Sequence, residues 1–177
     1  MIAIVLAVAI ATAAPLPSAT PAPAPPACSA TPAFHALDFW IGRWRATVAG
    51  VYAGSDDVRS VQGGCAVTED WTDADGSHGQ SLFYYNWFAD TWRQVWVTDR
   101  ATSRGGIKEK QLVARYPEGG VRFQGLLLGA PGSRLVLDRT TLTPEGPNRV
   151  HQVIEYSLDG GTTWRLSFDA IYVRDSS

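Results

Sequence analysis

Three carboxylates sit where strands of one sheet could turn them toward a common interior: Glu69, Glu155 and Asp169. Two carboxyl groups roughly 5–9 Å apart would suit glycoside hydrolysis, one as proton donor and the other as base or nucleophile. Glu69 and Asp70 are adjacent, so in an extended chain one points inward and one outward, and they cannot flank a bond together. An acid–base enzyme, hydrolase or isomerase, acting through Glu69 or His151 is therefore one reading, set against ordinary solvated strand charges. The histidines His35, His78 and His151 are far apart and outside any ligand spacing, so no metal is expected. "DADGSHG" opens as a calcium loop would, but His78 falls where glycine is required and Tyr84 where glutamate is, which leaves an Asp/Gly turn. The chain has no G-x-S-x-G elbow, P-loop or G-x-G-x-x-G. Neither a catalytic nucleophile nor a cofactor is expected.

Bulk properties narrow the classes further. The chain has 177 residues, 45% of them apolar and 11% aromatic, ample for one core. A formal net charge of −2 and the lack of any dense basic run argue against nucleic acid as a partner. The first charged side chain is Asp38. Met1 to Ala14 is apolar but for Thr12, shorter than the roughly 20 residues of a membrane span and suited to the apolar region of a signal peptide. Ala11 and Ala13 have the spacing of a cleavage site, although no Lys or Arg precedes them. The expected organisation is a signal peptide over 1–14, an Ala/Pro-rich spacer over 15–31 and a folded domain over 32–177. This implies a secreted or periplasmic protein with no stable membrane insertion after cleavage. An even cysteine count in such a protein suggests a disulfide between Cys28 and Cys65; the alternative is two unpaired thiols.

The elements that must position these residues are nearly all strands. "TPAFHALDFW" has Thr31 as an N-cap, Pro32 at the first helical position and Phe34, Leu37 and Trp40 at helical spacing, which predicts a two-turn helix stopped by Gly42. Beyond Trp44, short β-branched and aromatic runs alternate with turn signals. They predict strands near 44–48, 58–62, 65–71, 80–88, 91–98, 107–115, 121–127, 134–142, 149–157 and 164–174. About ten antiparallel strands with tight turns describe an up-and-down meander, and closing it into a barrel removes two apolar edges. The fold class is thus all-β: a closed antiparallel barrel of about ten strands with a short helix closing one end. Alternation puts Val67, Glu69 and Trp71 on one face, Trp92, Gln94, Trp96 and Thr98 on another, and Trp164, Leu166, Phe168, Ala170 and Tyr172 on a third. With the aromatic sets inward, Glu69, Trp71, Tyr85, Gln94, Trp96, Phe168 and Tyr172 are candidates to line a cavity. A filled core with internal hydrogen bonds is the alternative.

"LDFWIGRW", "GGCAVTEDW", "QSLFYYNWFADTWRQVWVTD", "HQVIEYSLDGGTTW" and "FDAIYVR" together resemble a family of secreted bacterial calycin-like (lipocalin-like) barrels of unknown function. The resemblance implies that the helix closes the barrel and that Trp44, after Gly42, packs across its base; it implies no activity. More distantly the chain resembles the nitrobindins, ten-stranded barrels that hold haem through a late histidine, for which His151 is the only late histidine here. "SLDGGTTW" is similar to the Asp box of sialidase propellers at Ser157, Asp159, Gly161, Thr163 and Trp164. One copy cannot build a propeller. It reads instead as the barrel's last hairpin, with Asp159 accepting turn N–H groups, Gly161 permitting positive φ and Trp164 packing inward. The favoured reading is a non-enzymatic binder of a small apolar or amphipathic ligand. The oligomeric state is not legible.

Overall fold

A computed structural model describes residues 26–103, 105–127 and 135–175. The expected signal segment, most of the spacer and the "GAPGS" turn lie outside the described residues. Ten strands form one closed antiparallel barrel: β1 (Gly42–Val48), β2 (Val51–Val61), β3 (Ala66–Asp73), β4 (His78–Asn86), β5 (Thr91–Thr98), β6 (Ile107–Arg115), β7 (Val121–Leu127), β8 (Val136–Pro144), β9 (Arg149–Ser157) and β10 (Arg165–Arg174). Each pairs with its neighbours in sequence, and β10 returns to β1 through Trp44–Arg174 and Thr47–Ile171. No strand edge is left open, which is what makes so long a meander tolerable.

Alternation is the local cause of the fold, and it also explains where expectation and structure part. In β5, Trp92 and Gln94 are buried while Val95 and Val97 are exposed. β2 begins seven residues before the expected Val58, with Gly54, Asp56 and Val58 all buried on one face. The expected two-turn helix is instead two short 3₁₀ turns, Pro32–His35 and Asp38–Trp40, preceded by a third at Cys28–Ala30. Thr31 makes no side-chain cap; its hydroxyl donates to the Ala27 carbonyl. So short a segment is held by packing rather than by helical hydrogen bonds.

Trp164 does not pack inward. A bulge between Leu166 and Phe168 inserts an extra residue opposite β9, so the parity of β10 flips at Ser167. Phe168 and Tyr172 face the interior, whereas Leu166 is 60% exposed. The Trp164 ring lies outside, under the Arg139 guanidinium at 4.0 Å.

One end of the barrel is a dry aromatic core. Trp40 stacks on Trp44 at 5.4 Å, the Trp44 indole donates to the Trp40 carbonyl at 2.8 Å, and Tyr172 meets Trp40 edge-on at 4.9 Å. The Trp92 indole donates to the Ala33 carbonyl at 2.9 Å, tying the 3₁₀ segment over the opening. The Cys28–Cys65 disulfide joins that segment to the link between β2 and β3. Gly42 is needed where the chain enters β1: its φ is +149°, and a Cβ there would meet the Arg174 guanidinium that caps the Trp44 ring at 4.3 Å.

Candidate functional site

At the other end the barrel holds a cavity of about 520 Å³. It opens where β3, β5, β7 and β9 run out, at Asp73, Thr98, Leu127 and Tyr156. Six of the seven candidate lining residues meet there: Glu69, Trp71, Gln94, Trp96, Phe168 and Tyr172. Tyr85 does not. It lies at the closed end, against Phe34 at 5.1 Å and Trp92 at 6.1 Å, with its hydroxyl on Asp90.

The mouth is aromatic, and glycines on neighbouring strands make room for it. A Cβ on Gly54 would lie 2.5 Å from the Trp71 indole, and one on Gly79 only 2.3 Å from the Trp96 indole. Each ring therefore occupies the space of a missing side chain rather than crossing the cavity. Phe168 meets Trp71 edge-on at 6.2 Å.

Between mouth and dry core runs a polar belt. Gln94 Nε2 donates to Ser81 Oγ at 3.0 Å, and the Ser81 hydroxyl donates to Glu69 Oε2. Asp56, 2% exposed, faces Glu69 from β2. As carboxylates neither could give the other a donor, and both Asp56 oxygens are buried without one. Burial, and then the Glu69 charge, push the Asp56 carboxyl well above its ordinary range. Burial also raises Glu69, opposed by the Ser81 hydroxyl, Asp56 and the charges of Lys110 and Lys108.

Across the barrel Lys110 forms an ion pair with Asp138 and donates to Thr140 Oγ1 at 2.6 Å, and Lys108 reaches Asp138 at 3.4 Å. β6 and β8 are not neighbours; β7 lies between them. Lys110 pairs with Gly125 and Gly125 with Asp138, so the ion pair crosses β7 at a glycine, where an added Cβ would strike the Glu109 carbonyl of β6. Burial lowers the Lys110 ammonium to about 8, and Asp138 resists that shift. The Tyr172 hydroxyl donates to Gln152 Oε1 at 2.9 Å, completing the belt.

Asp56, Ser81, Lys108, Lys110, Asp138, Thr140 and Gln152 were not anticipated. Parity carried a signal for some of them: Lys110 shares a face with Leu112, and Asp138 with Val136 and Leu142. The other expected chemistry does not converge. Glu155 is on the outer face, bonded to Arg139 at 2.6 Å, and Asp169 is outside with His151 at 2.6 Å. His151 therefore faces away from the barrel interior, and neither haem ligation nor acid–base work inside the cavity is open to it. No histidine lines the cavity, and no cluster of three or more His, Cys, Asp or Glu able to hold a metal occurs among the described residues.

At the rim, Asp159 accepts from Thr163 N–H at 2.9 Å and from the Thr163 hydroxyl at 2.6 Å, while Gly161 N–H donates to Ser157 Oγ at 2.8 Å. The Thr163 side chain, then its backbone N–H, hold Asp159 down at about 2. Gly160 and Gly161 take φ of +73° and +94°, so the hairpin is a turn device that needs both. None of these turn residues lines the cavity. No known protein-family model matches the chain, and no curated protein does either.

Proposed function

We propose that this protein is an exported small-molecule binding module of the calycin-like kind, taking one amphipathic ligand into the open end of its barrel. The observation that carries the reading is the cavity of about 520 Å³ with aromatic walls above a buried polar belt. That volume lies in the range of small-ligand sites, and convergent polar groups in an apolar pocket fix orientation. The Cys28–Cys65 disulfide supports an oxidising compartment, and no helix among the described residues is long and apolar enough to cross a membrane. Native mass spectrometry of protein purified from its producing cells tests the reading. A stoichiometric small molecule is expected on the wild type, and its loss from Ile154→Trp, which fills the cavity. The reading falls if nothing co-purifies and no member of a fragment collection perturbs Trp71 or Trp96 fluorescence.

A second reading, an acid–base enzyme in the same cavity, is favoured by one observation: Glu69 lines the cavity with its carboxyl raised and Asp56 behind it. Carbon-13 NMR titration of the Glu69 carboxyl bears on it. Titration in the ordinary carboxylate range removes its motivation. Titration above that range, together with chemical conversion of the bound molecule, would replace the first reading with the second.

A further inference from the structure

The polar belt is short of donors on one side only. Gln94 is 7% exposed and Glu69 5%, and both line the cavity. Gln94 Oε1 is buried without a donor from the protein, whereas Gln94 Nε2 and the Ser81 hydroxyl are already spent on a relay that points toward Glu69. A buried acceptor left without a partner costs about 1–3 kcal/mol. The lysines that could have served this side are drawn away from it: Lys110 crosses over Gly125 to Asp138 and Thr140, and Lys108 follows to Asp138. Lys108, whose side chain is 15% exposed, retains solvent.

Charge points the same way. The acidic side chains among the cavity's lining residues are Glu69, Asp73 and Asp138, and the basic ones are only Lys108 and Lys110. One negative charge is therefore in excess among the described lining residues. It lies on the side where Trp71 and Tyr172 stand 6.0 Å apart and Phe168 closes the wall. Aromatic faces beside a desolvated carboxylate suit an ammonium, which is stabilised by both.

The geometry points to a small primary amine bearing an aromatic ring as the ligand class, its ammonium seated between the Glu69 carboxylate and Gln94 Oε1 and its ring against Trp71 and Phe168. This rests on the binding-module reading and adds the chemistry of the head group. A carboxylate ligand would instead add a fourth negative charge and leave Gln94 Oε1 unpaired.

Isothermal titration of the full folded protein near neutral pH with three probes of one shape decides the matter: tryptamine, its alcohol analogue tryptophol, and indole-3-propionate. Tryptamine is expected to bind at least about tenfold tighter than tryptophol, with the propionate weakest. Glu69→Gln should cut tryptamine affinity by about tenfold and leave tryptophol unchanged. Gln94→Leu should weaken tryptamine more than tryptophol. If either variant fails to fold, the ranking of the three probes on the wild type still decides. Equal or tighter binding of tryptophol or the propionate overturns the amine and leaves the binding module standing. Failure of all three probes overturns the amine as well, and the binding module falls with it only if nothing co-purifies and no fragment perturbs tryptophan fluorescence.

Discussion

The two ends of this barrel are built from the same strands and do opposite things. At the closed end inward positions carry Trp40, Trp44, Phe83, Trp92 and Phe123, all 2% exposed or less, with the indoles of Trp44 and Trp92 bonded to backbone carbonyls. A few residues further along the strands, inward positions carry Glu69, Gln94, Lys110 and Asp138, also buried but charged or polar. Burying apolar area stabilises the fold, about 25 cal/mol per Å². Burying charge costs several kcal/mol per ion before pairing offsets it. The closed end supplies stability and the open end draws on it.

The largest expected effects are at the closed end. Trp92→Ala should cost about 3–5 kcal/mol in chemical denaturation, since it opens a hole and frees the 3₁₀ segment. The remaining folded protein should bind ligand as before. Replacing Cys28 and Cys65 by serine should cost about 4 kcal/mol in the chain-entropy account, for a loop spanning 37 positions. If either change abolished binding with folding intact, the division between the ends would not stand.

Next comes the ion pair. Lys110→Met alone should cost about 3 kcal/mol because it strands Asp138, while Lys110→Met with Asp138→Leu should recover most of that loss. The pH dependence has a definite sign. The folded-state value of Lys110 is lowered from 10.5 to about 8, so between those values the unfolded chain holds the extra proton. Stability therefore rises from about pH 8 toward 10.5 as this burden is relieved, and Lys110→Met flattens that rise. Asp56 acts oppositely. Its raised value favours the fold at low pH, and that contribution fades as pH rises through it, a loss that Asp56→Asn should remove.

Gly79→Ala should move stability by only about 1–3 kcal/mol but abolish binding, because the new methyl drives the Trp96 indole into the cavity. Retained binding would mean that the ring has another seat. Smallest is Asp159→Ala, which should lower the melting temperature and leave binding untouched. Asp159 stabilises the hairpin above its unfolded value near 3.8 and loses that role as pH falls toward about 2. Lost binding with unchanged melting would move the rim hairpin into the site.

Local patterns made much of this readable. Thr91–Thr98, Ile107–Arg115, Val121–Leu127 and Arg149–Ser157 have the bounds expected from alternation and turn residues. Both depend only on near neighbours in the chain. Six cavity residues followed from parity together with aromatic content. Elsewhere local cues fell short: the strand expected from Val58 starts at Val51, and the single residue inserted at Ser167 reversed the face of Trp164.

The amino-acid sequence alone determined an all-β meander long enough to require closure, and which residues alternate on each strand, because a period of two is a local steric fact. Only the tertiary structure decided what those residues meet. Lys110 and Asp138 are brought together across Gly125, Asp56 and Glu69 come to face each other in a buried site, and Trp71 and Trp96 find glycines to lie on. Each depends on register and on the curvature of a closed sheet, which bring together residues on strands that do not pair directly or whose pairing alternation leaves unspecified.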